Sequence, residues 1–549
     1  MSKKRRAGKR AHTSETAYIA ERVDRVAPEI SESTWRIASL FILACAAALR
    51  LYDLDLVPLH HDEGVNGFFL VTLARSGVYY YDPANYHGPT LYYFALVSQF
   101  IFGLNTFAIR FVPALFGLAT LSLILCLRKH IGMLGALVAA ALIAVSPGAI
   151  YMSRYFIHES LFVFFTLGLV VAALFYYETA RSIYLLLASA CAALLFATKE
   201  TAIISVGVLL IAIVSTRLYL RLFANSSGEG NARGKKSNRA ARSAADNPAY
   251  ANNSLARFGG ASHIALLAFV AAVLFIFINV LFYSSFFTHA KGVTDSVETF
   301  KFWIRTGTKD HLHQELYTYL KWLMQEELPL LLLGAAGVYA AVWRARLNGF
   351  ALFAALWAVG ILSAYSLVPY KTPWLALNFI VPLAIIGGYG VGEFYRRYES
   401  MDMRAVMLAV AGLAVAIGLY QASSLNFQHY DNDAYPYVYA HTRRETFQLV
   451  KEIERLARRA GTNENTAIAF VSPDYWPLPW YLRDYKRVGY NVGMPQTIVN
   501  GSSEPIMICN EAQEASLRAA LGETYARVGS YALRPGVNLV IYARGDLVR

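Results

Sequence analysis

Residues 106–165 decide the fold class of this chain, and they read TFAIRFVPALFGLATLSLILCLRKHIGMLGALVAAALIAVSPGAIYMSRYFIHESLFVFF. Two apolar runs, 106–127 and 131–151, stand next to each other, and Arg128 and Lys129 carry the charge at their junction. Each run has about the 20 residues that an α-helix needs to cross the hydrocarbon core of a bilayer. The stretch therefore predicts two consecutive membrane spans joined by a short basic loop.

The same pattern recurs along the whole chain. Of the 549 residues, 56% are hydrophobic and 16% are charged, whereas a soluble domain carries about 25% charged residues. Aromatic residues, which favour the two membrane interfaces, make up 14%. These values exclude a purely water-soluble enzyme. We predict a polytopic α-helical membrane protein with about eleven spans, at 35–52, 106–127, 131–151, 160–178, 182–198, 201–221, 262–285, 328–343, 349–368, 375–394 and 405–423.

The formal net charge is +13, and its distribution predicts the topology. Lys and Arg concentrate in the basic N-terminal tail, 1–34, and in short loops between apolar runs, which the positive-inside rule places in the cytoplasm. No DNA-binding motif accompanies them, so nucleic acid is not an expected partner. A short aromatic run, 89–104, is a candidate twelfth span, but counting it would place Arg128 and the basic linker 222–258 outside. We therefore predict that this run lies in the interface.

This topology divides the chain into two domains. The transmembrane domain is 35–423, with a cytoplasmic N-terminus and a cytoplasmic linker, in the cell membrane. Its first external loop, 53–105, is expected to carry two interfacial helices at about 65–76 and 90–103. The tail, 424–549, then lies outside the cytoplasm.

The tail has the composition of a small α/β domain. Thr442 and Glu445 form a capping-box pattern before a run with helical spacing of apolar residues. The segments 467–472 and 505–509 are typical of buried strands, and two further strand patterns flank a turn at Arg534. We expect a helix, buried strands and a terminal hairpin.

The segment LHHDEGVNGFF, residues 59–69, contains the first candidate site residues. Asp62 and Glu63 follow His60 and His61 directly after the first predicted span. Adjacent carboxylates at a membrane surface are costly to desolvate, so they usually have water, a cation or a substrate as partner. Acidic residues also favour a helix N-terminus, and a solvated helix start explains the pattern equally well.

The second external loop adds acidic and basic residues on the same predicted side. His158 and Glu159 lie at the mouth of the next span, within 151–165. A carboxylate base can activate an acceptor hydroxyl, and a departing phosphate needs positive charge. Snorkelling to the interface is the alternative explanation for each cation. The candidate cations are Arg154, Lys199 and Lys371.

At this point the chain resembles the C-type glycosyltransferases, a superfamily with protein O-mannosyltransferases, aminoarabinose transferases and oligosaccharyltransferases. The resemblance covers roughly residues 35–220. Two further segments, PYKTPWL and WPLPWYLRDY, resemble a narrower prokaryotic subgroup labelled flippase-associated. The main resemblance rests on DEG (62–64), HGPTLYYFALVSQFIFGLNTFAIRFVPALFG (87–117), SPGAIYMSRYFIHESLFVFF (146–165) and ATKETA (197–202).

The resemblance implies a polyprenyl-phosphate-linked sugar donor, transfer on the non-cytoplasmic face, and an external Asp as catalytic base. That role falls to Asp62. Glu63 matches the second acid of the pair, and Glu159 matches the acidic position of the second external loop. The chain has His87-Gly88-Pro89-Thr90 where two prolines are common in the aminoarabinose-type pattern, which leaves the donor sugar open.

The histidines near these acids allow a second interpretation. Imidazole and carboxylate suit zinc or manganese, so Asp62, His158 and Glu159 are the candidate ligands if a divalent metal is bound. Their spacing matches no compact metal motif. Otherwise His61, His87 and His158 are hydrogen-bonding residues of a substrate-binding pocket, and no cofactor is required.

An aromatic segment in the tail, DYWPLPWYLRDY at 474–485, carries Trp476 and Trp480. Flat rings of this kind can stack on sugars. Aromatic residues that dock a domain at a membrane interface show the same pattern. Trp476 and Trp480 are therefore candidates either for ligand contact or for packing.

We hypothesise a polytopic glycosyltransferase that moves a sugar, with inversion, to an extracytoplasmic glycan, lipid or protein acceptor, with Asp62 as general base. The main alternative is a lipid-linked-sugar flippase, or a flippase-associated accessory protein without transferase activity. An ion-coupled transporter is a third alternative. The candidate acids lie in loops and at helix mouths rather than deep within spans, which argues against a transporter.

Overall fold

The computed structural model describes residues 30–85, 87–224, 256–307, 315–343, 348–493 and 504–549. Most of the predicted N-terminal tail, 1–34, and of the predicted linker, 222–258, therefore lies outside the described residues.

The described chain is mostly helical and ends in a small sheet. The helices are α1 Glu32–Leu51, α2 His61–Ser76, α3 Thr90–Phe102, α4 Thr106–Cys126, α5 Arg128–Ile131, α6 Met133–Val145, α7 Pro147–Ser153, α8 Glu159–Thr179, α9 Ser182–Phe196, α10 Ala202–Ala224, α11 Gly260–Tyr283, α12 Lys291–Gly307, α13 Thr318–Glu326, α14 Leu328–Trp343, α15 Gly349–Leu367, α16 Leu377–Arg397, α17 Met401–Ser423, α18 Glu445–Arg459, α19 Leu478–Tyr481, α20 Glu511–Leu521 and α21 Gly545–Val548. The strands are β1 Ala467–Val471, β2 Arg487–Asn491, β3 Ile506–Asn510, β4 Tyr525–Arg534 and β5 Val537–Arg544.

Every predicted apolar run is helical. Among the described residues, eight helices are long and apolar enough to cross a membrane, and up to ten spans result if each of two bent pairs counts as one. The bent pairs are α6 with α7, at 61°, and α13 with α14, at 114°. A count of eleven requires the 15-residue helix α9 to cross as well, and that count stays a prediction.

The two ends of the bundle can be followed through polar contacts. Arg128, after α4, pairs with Glu32 at the start of α1 (2.9 Å), so both lie at one end. The segment between α1 and α4 therefore begins and ends at the opposite end. This agrees with the arrangement in which the short apolar helix α3 does not change sides. His130 and Glu178 also pair at the Arg128 end (3.1 Å).

Helix α16 is the centre of the bundle, and small residues allow its neighbours to approach closely. A Cβ added at Gly337 of α14 would lie 1.9 Å from the carbonyl oxygen of Ile386, and one added at Gly388 would lie 2.2 Å from that of Gly135. Such contacts require glycine, and small residues at helix interfaces are typical of membrane proteins. This packing buries nearly the whole of α16.

The C-terminal sheet has the order β2-β1-β3-β5-β4. Strand β1 pairs in parallel with β2 and β3, whereas β5 pairs antiparallel with β3 and β4. The predicted strands at 467–472 and 505–509 and the hairpin around Arg534 are thus present. The predicted domain boundary at 424 stays a prediction.

The predicted capping box at Thr442 and Glu445 is wrong. Helix α18 begins at Glu445, its N-cap residue is Arg444, and no side chain caps it. The reason is that the Arg443 N–H donates to the Leu533 carbonyl (2.8 Å), which ties the segment before the helix to β4.

The C-terminal domain docks on helix α2. The Tyr481 hydroxyl accepts a hydrogen bond from the backbone N–H of Leu59 (2.8 Å), just before α2. A Cβ added at Gly64 would lie 2.6 Å from the Pro477 Cα, and one added at Gly67 would lie 2.7 Å from the Trp480 ring. The absence of side chains at these two positions therefore lets the domain approach α2.

Gly64→Ala should weaken this docking by about 1–3 kcal/mol, because the methyl group would overlap backbone atoms that cannot move away cheaply. Thermal unfolding and the rate of proteolytic release of the C-terminal domain would measure the effect. Gly412→Ala is the matched control, since position 412 is exposed on α17 and faces open space. Equal behaviour of the two variants would contradict the docking role of Gly64.

Candidate active site

A cavity of about 260 Å³ opens where the first predicted external loop, 53–105, meets residues 157–159. Carboxylates, one lysine, imidazoles and aromatic rings line it, so it combines charge with flat apolar surfaces. The lining residues are His61, Asp62, Val65, Asn66, Ala84, Asn85, His87, Ile157, His158, Glu159, Lys199, Glu200, Thr201, Ile204, Trp303, Tyr365, Val368, Tyr370, Thr372, Trp374 and Leu375.

Asp62 occupies the first turn of α2, and its side chain is 40% exposed. Its backbone N–H donates to His60 Nδ1 (3.2 Å), which belongs to the N-cap residue. The same nitrogen lies 3.9 Å from Asp62 Oδ2, beyond hydrogen-bonding distance. Within the described residues, no cation engages the Asp62 carboxylate more closely, so it is available to a ligand.

Glu63 is placed differently, although it is the next residue. Its carboxylate receives two hydrogen bonds from Arg110, at 2.7 and 2.6 Å, and one from the Phe156 N–H at 2.7 Å. The backbone N–H of His60 also donates to the Glu63 carboxylate, at 2.8 Å. Glu63 is fully buried and is not among the cavity residues. The structure thus separates the two acids of the pair.

Glu159 and Lys199 face each other on the cavity wall. The Lys199 ammonium donates to Glu159 Oε1, and both side chains are almost completely buried. Burial lowers the pKa of Lys199, but Glu159 and Glu200 outweigh it and the net shift is upward. Lys199 therefore carries a positive charge in the cavity.

A second pair joins His87 to Glu200, with Nδ1 and Oε2 3.1 Å apart. The His87 ring lies 4.8 Å from that of His158, whose Nε2 is 3.2 Å from the Gly88 carbonyl. Burial, with His87 and Lys199, lowers the pKa of His158 well below its usual range, so this ring is neutral.

Glu200 was not singled out from the sequence. It stands beside Lys199 in the ATKETA segment, directly before a predicted span. An acid in that position on the predicted external side was the signal that could have identified it.

The geometry does not fit a resident divalent metal. No group of three or more His, Cys, Asp or Glu side chains in the described part of the chain could hold one. Asp62, His158 and Glu159 all line the cavity. However, Lys199 donates to Glu159 Oε1, and His158 Nε2 lies 3.2 Å from the Gly88 carbonyl.

Of the three candidate cations, only Lys199 lines the cavity. Arg154 is buried outside the cavity and donates to the carbonyls of Tyr52 (2.5 Å) and Asp53 (2.8 Å), which follow the end of α1. Arg154 also donates to the carbonyls of Leu49 (3.4 Å) and Arg50 (3.3 Å) in the last turn of α1, which have no partner within the helix. Lys371 is also buried, and its Nζ donates to the Val368 carbonyl (2.9 Å).

The C-terminal domain reaches the cavity edge through Arg534, which the sequence pattern indicated only as part of a turn. Arg534 Nη1 lies 3.1 Å from His61 Nδ1, and its Nη2 pairs with Asp474. Burial lowers the pKa of His61, and Arg534 and His60 act in the same direction, whereas Asp62 and Asp474 oppose the shift. The His61 imidazole is thus neutral near pH 7.

The two candidate tryptophans pack rather than line the cavity. The Trp476 ring lies 6.2 Å from that of His61 but is not among the cavity residues. Trp480 is 1% exposed, and the Arg483 guanidinium lies over its ring at 4.5 Å. Both rings lie against α2, Trp476 beside Phe68 and Trp480 beside Gly67.

Known proteins share parts of this sequence and most of this fold. The family model described as dolichyl-phosphate-mannose-protein mannosyltransferase matches residues 86–227. No curated protein matches the chain.

Three solved structures are similar over nearly the whole chain. Apo ArnT from Cupriavidus metallidurans has a TM-score of 0.62 at 15% identity, covering 93% of this chain and 98% of that one. The same protein bound to undecaprenyl phosphate has a TM-score of 0.59 at 15% identity, covering 94% and 100%. The Archaeoglobus fulgidus oligosaccharyltransferase, complexed with Zn and sulfate, has a TM-score of 0.52 at 13% identity, covering 90% and 73%. The predicted resemblance and the predicted fold class, a polytopic helical membrane protein with a small C-terminal α/β domain, are confirmed.

Proposed function

We propose that the chain is a membrane glycosyltransferase that moves a sugar from a polyprenyl-phosphate donor to an acceptor hydroxyl. One observation carries this proposal: a 40% exposed carboxylate, Asp62, lines the same cavity as a charged lysine, Lys199. The matching family model is described as a mannosyltransferase, one structural neighbour is an oligosaccharyltransferase, and one ArnT structure contains undecaprenyl phosphate. A polyprenyl-phosphate donor fits that likeness.

The proposed reaction is a single displacement. Asp62 takes the proton of the acceptor hydroxyl, and the acceptor oxygen forms a bond to the anomeric carbon. The bond from that carbon to the phosphate oxygen breaks, and the phosphate leaves with the electron pair. Lys199 stabilises the charge that develops on it. One displacement inverts the anomeric configuration, and it requires no covalent enzyme intermediate.

The surrounding groups have supporting roles in this scheme. Glu159 holds Lys199 on the cavity wall, and the His87 and Glu200 pair forms the neighbouring part of the wall. These four residues fall within the range that the family model matches. Asp62 lies outside that range, so its role rests on its position in the cavity.

We also propose that the site faces the outside of the cell membrane, with the N-terminus in the cytoplasm. Segments predicted to be external meet at the cavity: Asn66 donates to the Phe156 carbonyl (2.8 Å), and His87 contacts Glu200. The C-terminal domain joins them through Arg534. A lipid-linked donor can reach such a site from the outer leaflet, with a glycan, lipid or protein as acceptor.

The direct test uses purified protein in lipid nanodiscs, radiolabelled polyprenyl-phosphate sugars and a membrane or cell-wall acceptor fraction. Incorporation of label into the acceptor supports the proposed transferase. A parallel assay in proteoliposomes measures movement of the lipid between leaflets. Movement without transfer would overturn the proposal in favour of the flippase.

Lys199→Gln should weaken the binding of undecaprenyl phosphate alone by about 10- to 100-fold, the effect of losing a hydrogen bond to a charged group. Binding without acceptor isolates the donor site. The single variant leaves Glu159 buried without its cation, so Glu159→Gln/Lys199→Gln, which removes both charges, is measured alongside. Lys451→Gln, at an exposed position of the C-terminal domain, is the control. Wild-type binding by both cavity variants would show that Lys199 does not hold the phosphate.

A further inference from the structure

The C-terminal domain contributes one charged side chain at the edge of the cavity. Arg534, at the end of β4, is only 21% exposed, and it bridges two acceptors. Its Nη2 pairs with Asp474 of the same domain, and its Nη1 lies 3.1 Å from His61 Nδ1. Asp474 thereby aims the guanidinium at the imidazole.

This contact determines where the His61 ring carries its proton. A guanidinium has five N–H donors and no acceptor, so the nitrogen that it contacts must accept. A neutral imidazole has one N–H, which then sits on Nε2. The opposite tautomer would set an N–H of the ring against an N–H of Arg534.

The other ring nitrogen is left for a ligand. Nε2 of His61 has no hydrogen-bond partner within the described residues, and the imidazole lines the cavity next to Asp62. An ionised carboxylate accepts hydrogen bonds only. An N–H donor beside Asp62 would donate a hydrogen bond to a ligand, which the Asp62 carboxylate cannot do.

We propose that Arg534 is a positioning residue that fixes His61 as its Nε2–H tautomer, and that this N–H donates to a substrate oxygen beside Asp62. The second half of this statement rests on the proposed function. The first half concerns the protein alone. Docking of the C-terminal domain would then be coupled to the preparation of the site.

The tautomer can be measured without any substrate. Full-length protein with ring-¹⁵N-labelled histidine is placed in nanodiscs, and the His61 signals are identified by their loss in His61→Gln. We expect an unprotonated Nδ1 and a protonated Nε2 in the wild type, and a change in this pattern in Arg534→Gln, whose amide can donate or accept. A protonated Nδ1 in the wild type, or an unchanged spectrum in Arg534→Gln, overturns the proposal.

The contact with substrate is tested by two replacements of His61. The amide of Gln can place an N–H near the Nε2 position, whereas that of Asn reaches only the Nδ1 position. His61→Asn should therefore lower transfer about 10-fold or more, and His61→Gln much less. Arg534→Lys, which keeps a donor-only group, should retain more activity than Arg534→Gln.

Arg544→Gln is the matched control. Arg544 is an exposed arginine on β5 that pairs with Asp546. Equal losses in His61→Asn and His61→Gln would overturn the substrate contact. Failure of the wild-type protein to transfer any sugar would count against the proposed function instead, because the ¹⁵N measurement of the tautomer does not depend on transfer.

Discussion

Asp62→Asn should lower glycosyl transfer by about 100-fold or more, because an amide cannot accept the proton of the acceptor hydroxyl. The replacement keeps the shape of the side chain. The carboxylate makes no close ion pair in the described part of the chain, with His60 Nδ1 at 3.9 Å, so the fold does not depend on its charge. We therefore expect normal membrane expression and thermal stability together with lost transfer, measured in nanodiscs with the labelled donor.

Asp55→Asn is the matched control for this variant. Asp55 is exposed in the same loop, a few residues before the cavity, and its replacement should leave transfer unchanged. If Asp62→Asn stays active, the base lies elsewhere, and Glu159 is the next candidate. If both Asp variants lose transfer equally, the effect belongs to the loop rather than to the cavity carboxylate.

Glu63→Gln should destabilise the protein by about 3–5 kcal/mol, which is the usual cost of breaking a buried ion pair by removing one partner. The Arg110 guanidinium would keep its charge in a fully buried place. It also donates to the carbonyls of Leu54 (2.6 Å) and Val57 (2.8 Å), so its displacement would release the loop that leads to α2. Thermal unfolding and size-exclusion chromatography in detergent would measure the loss.

Glu63→Gln also separates a catalytic role of this residue from a structural one. If Glu63 is the second acid of a catalytic pair, the variant should lose transfer while keeping wild-type stability. If Glu63 is the partner of Arg110, the variant should lose stability first. Combining Glu63→Gln with Arg110→Gln in a double-mutant cycle isolates the coupling between the two side chains. A coupling energy near zero would contradict the structural role.

Position along the chain and local chemistry identified only part of the site. Asp62, Glu159 and Lys199 were predicted on these grounds, and they do line one cavity. Arg154 had the same local signature as Lys199, a cation near a span end on the predicted external side. Its guanidinium donates instead to the carbonyls of Tyr52 and Asp53, just after the end of α1. Arg534 had the signature of a turn residue but not of a site residue, because its partner His61 lies in a distant part of the chain.

Local sequence predicted the apolar helices and four of the five strands in the described part of the tail, because the length of an apolar run and its periodicity are local properties. Strand β2, Arg487–Asn491, was not predicted. The surroundings of each charged group, in contrast, depend on how the chain folds. Asp62 and Glu63 are neighbours with the same chemistry, yet one faces a cavity and the other is enclosed by Arg110 and the Phe156 N–H. The partner of a buried charge sets what it can do, and these partners come from segments that only the folded chain brings together.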